Sequence, residues 1–510
     1  MRLLFLLPAL FLLATPNAEA QETVRAACTN GVAEGFPCSN VDLVGHLSRF
    51  DLDVPAFQGS PVGNDIWGWT DPDTGIEYAI VGVTEGTAFV SLADPTNPTV
   101  IGTLASQTFV TTWRDIKTYG TYAYIVSEAN SHGMQVFDLT RLRDVAAPPV
   151  EFEADAVYRG AGSAHNIVID ESLPYAYLVG ANQGGFQCNG GGLHIVSLED
   201  PADPTFAGCF DSDGYTHDAQ CVRYDGPDPD YQGEAICFSS NGSFGSDDVL
   251  SISNVTDPGL PESISLASYP SPGYAHQGWL TEDKQYFLMN DEFDERDGSV
   301  AGTRTIVFDV SDLDNAVFVG AYIHDILTID HNLYIRGNYV YQSNYESGLR
   351  VFELTNLADA QLTLAASFDT FPDRDGIGFG GQWSNYPFFE SGLIIANDQG
   401  NGLFVLRSET LSPTNGEEPP ETPAIGLSAA YPNPFRARTT IDLNLAQSER
   451  VRAEAYDLLG RRVATLFDRT VSATTPVQLT LDGTNLPSGV YLIRVQGDSF
   501  AETRRVTLVR

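Results

Sequence analysis

Positive charge is scarce in this chain. Of its 510 residues only 27 are basic, against 67 acidic residues, and only Lys117 and Lys284 are lysines. The formal charge of −40 excludes a nucleic-acid partner that is bound by neutralising phosphates. Because 43% of the residues are apolar and 11% are aromatic, the chain is too hydrophobic for an acidic disordered protein. The charge must therefore cover a folded body with a sizeable core.

Long apolar runs are missing after the first twenty residues, so we expect no transmembrane segment in the mature chain. Met1 and Arg2 precede an apolar run from Leu3 to Ala14 and then an A-x-A cleavage pattern at residues 18–20. We interpret residues 1–20 as a signal peptide. The alternative is an N-terminal membrane anchor, but the run is shorter than the roughly 20 residues that a bilayer requires.

Several catalytic motifs are also missing. The sequence has no G-x-S-x-G, H-E-x-x-H or Walker A pattern, so no hydrolase, zincin or nucleotide-binding enzyme is indicated.

Cysteine is sparse but even in number, and it occurs in three locally spaced pairs. These are Cys28 and Cys38, Cys188 and Cys209, and Cys221 and Cys237. Export to an oxidising compartment predicts disulfides, and we expect nearest neighbours to pair, although other connectivities are open. Metal ligation is the alternative, but no pair has C-x-x-C spacing.

A polar pair followed by an apolar strand recurs seven times. The second residues of the pairs are Asp65, Asp115, Asn166, Asp218, Gln277, Asn332 and Gln382. They advance by 50 to 59 residues, and each unit continues with further β-rich runs between turns. Seven units of four short strands predict an all-β, seven-bladed β-propeller over residues 21–410. A solenoid or two sandwiches are the alternatives.

The ends of this region indicate a closed ring. No fourth strand follows Leu406, whereas residues 41–48 have the apolar-Gly-apolar pattern of the other fourth strands. We therefore expect strand 41–48 to complete the last blade and so protect edge strands.

The runs Tyr175–Gly180 and Leu193–Leu198 resemble LVIVD-type repeats. Residues 25–410 resemble the choice-of-anchor B family of exported bacterial propellers, a resemblance that implies the fold and leaves the ligand open.

The charge changes sign near the C-terminus. Residues 21–423 carry 15 basic against 58 acidic residues, whereas residues 424–510 carry 11 arginines against 8 acidic residues. The change falls at a Pro- and Glu-rich stretch, so we interpret residues 411–426 as a linker. Apolar alternation over residues 427–510 predicts a small, Ig-like β-sandwich.

This C-terminal segment also has a recognisable order of motifs. The elements Tyr431–Phe435, Tyr456–Arg461 and Gly489–Ile493 resemble the type A sorting domain of the type IX secretion system. The resemblance implies that the type IX machinery is a partner. It also implies delivery through the periplasm to the outer-membrane surface of a Gram-negative bacterium or to the medium. A carbohydrate-binding or adhesion sandwich is the alternative.

Four of the eight histidines occupy equivalent positions in successive units: His165, His217, His276 and His331. The first strands of a propeller surround its channel, so these imidazoles should meet at one mouth. Imidazole suits Zn, Cu, Fe or Ni, which predicts a transition-metal site. Hydrogen bonding between blades is the structural alternative, and catalysis is a third.

Acidic runs offer a second cofactor hypothesis. Asp211–Gly214, Asp225–Asp230 and Asp291–Gly298 could supply oxygen ligands for Ca²⁺ on loops. Solvated loops are the alternative, because none of the runs has EF-hand spacing.

We expect a ligand to bind in the channel, through the second residues of the seven polar pairs and through Trp67, Trp113, Trp279 and Trp383. Such aromatics can stack on an extracellular glycan or protein, or they can fill the blade cores. The sequence thus predicts an exported binding module. The alternative is a metal-dependent extracellular enzyme that uses the histidines as ligands.

Overall fold

The computed structural model describes residues 24–55, 60–181, 188, 190–242, 248–411, 425–427, 435–445, 449–457, 461–471, 477–484, 486–497 and 501–509. The predicted signal peptide and most of the predicted linker lie outside these residues. The chain forms two compact units, residues 1–412 and 413–510. Both are built from strands, and the described helices are the short 3-10 turns Leu139–Leu142, Pro229–Tyr231, Leu313–Asn315 and Leu357–Asp359. None of the helices in the described ranges could cross a membrane.

Strands β1 to β31 belong to the larger unit. In chain order they are β1 (Val32–Ala33), β2 (Phe36–Ser39), β3 (Asp42–Leu47), β4 (Gly63–Thr70), β5 (Glu77–Val83), β6 (Gly86–Ser91), β7 (Thr99–Ala105), β8 (Arg114–Tyr119), β9 (Tyr122–Ser127), β10 (Met134–Asp138), β11 (Val150–Phe152), β12 (Ala156–Tyr158), β13 (Asn166–Ile169), β14 (Tyr175–Val179), β15 (Leu193–Ser197), β16 (Thr205–Phe210), β17 (Asp218–Arg223), β18 (Ala235–Asn241), β19 (Val249–Asn254), β20 (Glu262–Ser268), β21 (Ala275–Leu280), β22 (Tyr286–Asp291), β23 (Arg304–Asp309), β24 (Val317–Ile323), β25 (Leu333–Arg336), β26 (Tyr339–Ser343), β27 (Leu349–Asn356), β28 (Gln361–Phe368), β29 (Gln382–Tyr386), β30 (Ile394–Asp398) and β31 (Gly402–Arg407).

These strands form seven sheets in the described residues. Sheet 1 is β4 to β7, sheet 2 is β8, β9, β10 and β12, sheet 3 is β13 to β16, sheet 4 is β17 to β20, sheet 5 is β21 to β24, sheet 6 is β25 to β28, and sheet 7 is β29, β30, β31 and β3. Neighbouring strands in these sets are antiparallel. Strand β11 adds to the edge of sheet 1 by parallel pairing with β7.

The seven sheets close into a ring. Each first strand contacts the first strand of the next sheet, and β29 of sheet 7 contacts β4 of sheet 1. A separate buried apolar cluster lies between each pair of consecutive sheets. The cluster between sheets 7 and 1 joins Val44 and Val405 to Ile66 and Val81. The larger unit therefore has a β-propeller-like fold, in which every sheet buries its faces against its neighbours.

The N-terminal segment completes two sheets. Strand β3 pairs with β31 in sheet 7, and the β1–β2 hairpin extends sheet 6 by pairing with β28. Residues from both ends of the unit thus share one sheet, and the edges that a single open sheet would expose are covered.

The six cysteines form three disulfides, as the nearest-neighbour prediction expected: Cys28–Cys38, Cys188–Cys209 and Cys221–Cys237. The last of these joins residues that face each other across β17 and β18.

The glycine repeated in the fourth strands allows a close backbone approach. A Cβ added at Gly45 would lie 2.2 Å from the backbone oxygen of Pro95, and one at Gly208 would lie 1.6 Å from that of Pro258. In both cases the oxygen belongs to a loop of the next sheet. Any side chain at these positions would push neighbouring sheets apart.

The smaller unit contains β32 (Ile425–Leu427), β33 (Arg438–Leu445), β34 (Glu449–Asp457), β35 (Arg462–Val471), β36 (Val477–Asp482), β37 (Gly489–Gln496) and β38 (Ala501–Leu508). They form two sheets, in the orders β32–β33–β36 and β35–β34–β37–β38. Residues of both sheets share one core, which includes Ile441, Leu481, Val451, Ile493 and Val506.

Candidate functional site

The first strands of all seven sheets surround a central channel. A cavity of about 250 Å³ in this channel is lined by one or more residues from each of β4, β8, β13, β17, β21, β25 and β29. Since equivalent positions of the repeat face the same space, residues far apart in sequence meet in layers along the channel.

One layer lies at the amino ends of the first strands. It is a row of four histidines at or close to the starts of β13, β17, β21 and β25. The ring centres of His165 and His217 are 4.3 Å apart, those of His217 and His276 are 4.2 Å apart, and those of His276 and His331 are 4.3 Å apart. The four predicted metal-binding residues thus form one continuous row of imidazoles.

Hydrogen bonds connect the row to its surroundings. Nδ1 of His217 lies 2.9 Å from the backbone oxygen of His276, and Nδ1 of His331 lies 2.6 Å from that of Trp383. Nδ1 of His165 lies 2.6 Å from Oε1 of Glu128.

Burial lowers the pKa of His217 and of His276 well below the usual value, and it lowers the pKa of His331 to about 4. These three rings are therefore neutral at physiological pH.

Glu292 joins the row from the loop after β22. Its Oε2 lies 3.8 Å from Nε2 of His276, and its Oε1 lies 4.0 Å from Nε2 of His331. The hydroxyl of Tyr345 donates a hydrogen bond of 2.8 Å to Oε1. Burial raises the pKa of the Glu292 carboxyl to about 7. The sequence analysis placed Glu292 in an acidic run that could ligate Ca²⁺ but did not connect it with the histidines. It missed Tyr345, because this residue does not stand at a repeated position of a first strand.

The acidic run Asp291–Gly298 is solvated only in its second half, where Arg296, Asp297 and Gly298 are exposed. Asp291, Asp294 and Glu295 are almost completely buried. Arg304 makes ion pairs with Asp291 and Asp294, which explains how two of these carboxylates are held inside the protein. Asp330, which precedes His331, is also buried, and neither of its carboxylate oxygens has a hydrogen-bond partner among the described residues.

The other two acidic runs have local structural contacts. Oδ2 of Asp213 accepts hydrogen bonds from the hydroxyls of Ser251 and Ser263. Asp228 accepts hydrogen bonds from the backbone of Asp230 and of Leu313. These carboxylates therefore stabilise loops, and the prediction of Ca²⁺ there stays untested.

The second residues of the polar pairs form the next layer, and most of them bind a neighbouring sheet. Asp115 accepts from the backbone of Ile167, Asn166 donates to the oxygen of His217, Gln277 accepts from Leu333, Asn332 donates to Ser384, and Gln382 donates to Ser343. These five side chains link consecutive sheets: four of them reach the first-strand segment of the next sheet, and Gln382 reaches β26, the second strand of sheet 6. Their predicted role in ligand binding competes with this structural role.

Lys117 lies at the centre of the same layer. Its Nζ is 2.6 Å from Asp115 and 3.5 Å from Asp65, and it stands 4.5 Å from the ring centre of Trp67. Burial alone would lower the pKa of Lys117, but the two carboxylates outweigh burial and raise it. Burial opposes ionisation of Asp65 as well, yet Lys117 keeps the pKa of Asp65 below its usual value. The group therefore holds a charged lysine against at least one carboxylate.

The 250 Å³ cavity lies beyond this layer, toward the carboxyl ends of the first strands. Its aromatic lining is Trp67, Trp279, Tyr334, Tyr386 and Phe388, and its polar lining includes Lys117, Asp218, Gln220 and Gln277. The ring centre of Tyr334 lies 5.9 Å from that of Trp67 and 5.1 Å from that of Trp279, in edge-to-face contact. Burial raises the pKa of Asp218 to about 7.

The structure separates the four tryptophans predicted to bind a ligand. Trp67 and Trp279 line the cavity, whereas Trp383 packs on His331 at the histidine end, with ring centres 4.9 Å apart. Trp113 is 45% exposed and precedes β8. The cavity residues Lys117, Gln220 and Tyr334 were missed, although they stand two residues after a polar-pair position, where the alternation of a strand returns a side chain to the same face.

Comparison with known proteins identifies the C-terminal segment. Residues 429–509 match the family model of the secretion system C-terminal sorting domain, which confirms this part of the sequence prediction. The protein is therefore exported by type IX secretion to the cell surface or the extracellular space, and its tail interacts with that machinery. No curated protein matches the chain.

Several solved structures resemble the chain. U3-55K aligns with a TM-score of 0.44 and 7% identity, covering 69% of this chain and 97% of its own. The β-propeller domain of Myceliophteria thermophila Cps50 (Swd1) aligns with a TM-score of 0.42 and 12% identity, covering 68% and 98%. The Pseudomonas aeruginosa periplasmic gluconolactonase PpgL aligns with a TM-score of 0.42 and 13% identity, covering 66% and 100%. Likeness at this level says nothing about what this chain binds or converts.

Proposed function

We propose that this chain is an exported, seven-bladed β-propeller of the choice-of-anchor B type that acts as a binding module outside the cell. Its parts are a signal peptide (1–20), the propeller (21–410), a linker (411–426) and an Ig-like sorting domain (427–510). The closed contacts of the first strands and the pairing of β3 with β31 support the blade count. The repeated LVIVD-like runs support the family.

The aromatic cavity in the channel carries the binding function. Trp67, Trp279 and Tyr334 present apolar ring surface, while Asp218 and Gln277 add hydrogen-bonding groups in the same small space. Aromatic rings that pack on C–H groups, beside amides and a carboxylate that bind hydroxyls, suit a sugar. We propose that the ligand is an extracellular glycan, and that one terminal sugar unit enters the cavity, since its volume of about 250 Å³ leaves room for little more.

A glycan array screened with the full chain tests this proposal, followed by titration of the best glycan. Trp279→Ala should weaken binding by about tenfold, which corresponds to the loss of about 1.4 kcal/mol of ring contact. Trp113→Ala is the matched control, because it removes an exposed tryptophan away from the cavity, and it should bind like the wild type. If no glycan binds, or if the two variants bind alike, the cavity is not a glycan site.

Export can be tested separately in the native host. A chain that lacks residues 427–510 should keep its propeller-like unit but accumulate in the periplasm, because the sorting signal is gone. Fractionation with antibody detection measures the distribution. Normal surface delivery of the shortened chain would contradict the role of this domain.

A further inference from the structure

The histidine end of the channel brings three metal-ligand atoms together. They are Nε2 of His276, a carboxylate oxygen of Glu292 and Nε2 of His331, and all lie within 4.8 Å of one another. We propose that these three residues bind one divalent transition-metal ion, such as Zn²⁺, and leave coordination positions open. This site is separate from the glycan cavity and does not depend on it.

The hydrogen bond of His331 makes the required ring nitrogen available. A carbonyl oxygen only accepts hydrogen bonds, so the contact of 2.6 Å between Nδ1 and the oxygen of Trp383 places the proton on Nδ1. Nε2 then carries the lone pair, and this is the nitrogen that faces Glu292. Metal-binding histidines are commonly held in this way, with the other nitrogen donating to a backbone carbonyl.

Glu292 is oriented by a partner of its own. Tyr345 donates to its Oε1, which fixes the carboxylate with Oε2 turned toward His276. The Nε2 lone pair of His331 and a carboxylate oxygen of Glu292 therefore face one space, which Nε2 of His276 also borders. Nδ1 of His276 has no hydrogen-bond partner among the described residues, so this ring can carry its proton on Nδ1 and turn the Nε2 lone pair to the same space. Ligand atoms of a zinc ion at about 2.0–2.2 Å stand about 3.3–3.5 Å apart, so the side chains need to close by only about an ångström.

The arginines near this space are engaged with groups other than Glu292. Asp291, Asp294 and Asp330 are buried beside Glu292. Arg304 pairs with the first two, and the other nearby cation, Arg296, stacks on Phe293 with a guanidinium-to-ring distance of 3.9 Å. Asp330 has no hydrogen-bond partner in the described part of the chain. Neither arginine therefore makes an ion pair with Glu292 or Asp330 in the described residues, so a metal ion would not compete with a basic side chain for Glu292.

The ligand set selects the class of metal. Two imidazoles and one carboxylate suit Zn²⁺, Fe²⁺, Ni²⁺ or Cu²⁺, whereas Ca²⁺ and Mg²⁺ prefer oxygen ligands alone. Three protein ligands leave at least one position for water or for a bound molecule.

The test uses the full chain with its disulfides formed, stripped of metal and titrated with Zn²⁺ against a coloured chelator. The wild type should bind one equivalent with a dissociation constant below about 1 µM. His276→Ala, His331→Ala and Glu292→Gln should each weaken binding by more than about tenfold, and Tyr345→Phe should weaken it by about tenfold through loss of orientation. Glu292→Gln keeps the shape of the side chain, so it tests ligation even if a histidine variant fails to fold.

His165→Asn is the matched control, since His165 belongs to the same row but lies outside the three-residue set, and it should bind Zn²⁺ like the wild type. Co²⁺ provides a second readout, because its visible absorption bands should appear with the wild type and with the control and should fade in the Glu292 variant. Uptake by the wild type of less than about a tenth of an equivalent would overturn the proposal. Equal loss of binding in the His165 and His276 variants would overturn it as well, as would unchanged binding in the Glu292 variant.

Discussion

Replacing Lys117 with methionine should destabilise the larger unit by about 3–5 kcal/mol at neutral pH. The ammonium group lies 2.6 Å from Asp115 and 3.5 Å from Asp65, and all three side chains are buried. Methionine fills much of the space of the lysine stem but carries no charge. The two carboxylates would then lack their cation, and the cost is that of a buried charge left unpaired.

Thermal unfolding of the full chain, followed by calorimetry, measures this loss. With an unfolding entropy of about 2.1 cal/mol/K per residue, roughly 390 residues give about 0.8 kcal/mol/K, so Tm should fall by about 4–6 °C. Lys284→Met is the matched control, because Lys284 is the other lysine of the chain and pairs with the exposed Asp225 at the surface. A surface pair contributes about 0–1 kcal/mol, so this variant should melt within about 1 °C of the wild type.

The effect of Lys117→Met should also depend on pH. Without the lysine, burial is unopposed and the pKa of Asp65 rises above its unfolded value of about 3.9. A carboxyl group with a raised folded-state pKa costs nothing below the unfolded pKa. Its penalty grows as pH rises from the unfolded to the folded pKa, and it is constant above the folded pKa. The Tm difference should thus be small near pH 4 and complete by about pH 8. A difference that does not change over this range, or that equals that of the Lys284 variant, would refute the reasoning.

Three further predictions concern the scaffold. Replacing Cys221 and Cys237 by alanine should lower the free energy of unfolding by about 3 kcal/mol in urea titrations, given a loop of about 16 residues; a change below about 1 kcal/mol would argue against a role in stability. Gly208→Ala should lower the free energy of unfolding by about 3 kcal/mol. A Cβ at this position would lie 1.6 Å from the backbone oxygen of Pro258. At the equivalent Gly320, the nearest atom to an added Cβ is a side-chain carbon at 3.1 Å. Gly320→Ala should therefore lower the free energy of unfolding by less than about 1 kcal/mol. Equal losses in the two variants would contradict the packing argument. Removing residues 24–48 should expose strand edges of sheets 6 and 7, lower Tm and promote aggregation in light scattering; unchanged melting would show that the ring does not need them.

The strand repeat could be predicted from the sequence because its signals are local. Each polar pair stands at the start of a first strand, as Asp218 does in β17 and Gln382 in β29. The partner of β11 could not be predicted, because residues 150–152 lie in sequence between strands of sheet 2 yet pair with β7 of sheet 1. Alternation in sequence indicates which residues share a face, but it does not indicate which edge a short strand will join.

Only the site residues that occupy repeated positions could be named from the sequence. The histidine row follows from equivalent positions, so its four members could be named in advance. The acidic run that contains Glu292 was proposed from the sequence as a Ca²⁺ site. Its place beside the histidines could not be predicted, because it comes from a loop that does not recur at a repeated position. Two of its acidic neighbours, Asp291 and Asp294, are held inside the protein by ion pairs with Arg304, which follows them in the chain.

The scarcity of basic residues has a consequence inside the ring. Four basic side chains are buried in the described part of the chain, and each has a partner. Lys117 pairs with two carboxylates in the channel, Arg304 with Asp291 and Asp294, and Arg350 with Asp325. Arg114 donates to the backbone oxygen of Val83. Glu292 and Asp330 are buried as well, and neither makes an ion pair with a lysine or arginine among the described residues. A buried carboxylate without a cation must either hold a proton or attract an ion from outside. The imidazoles beside Glu292 suit either outcome, because a ring nitrogen with a lone pair can accept a hydrogen bond from the protonated acid or ligate a metal together with the ionised one. The Zn²⁺ titration therefore decides between them.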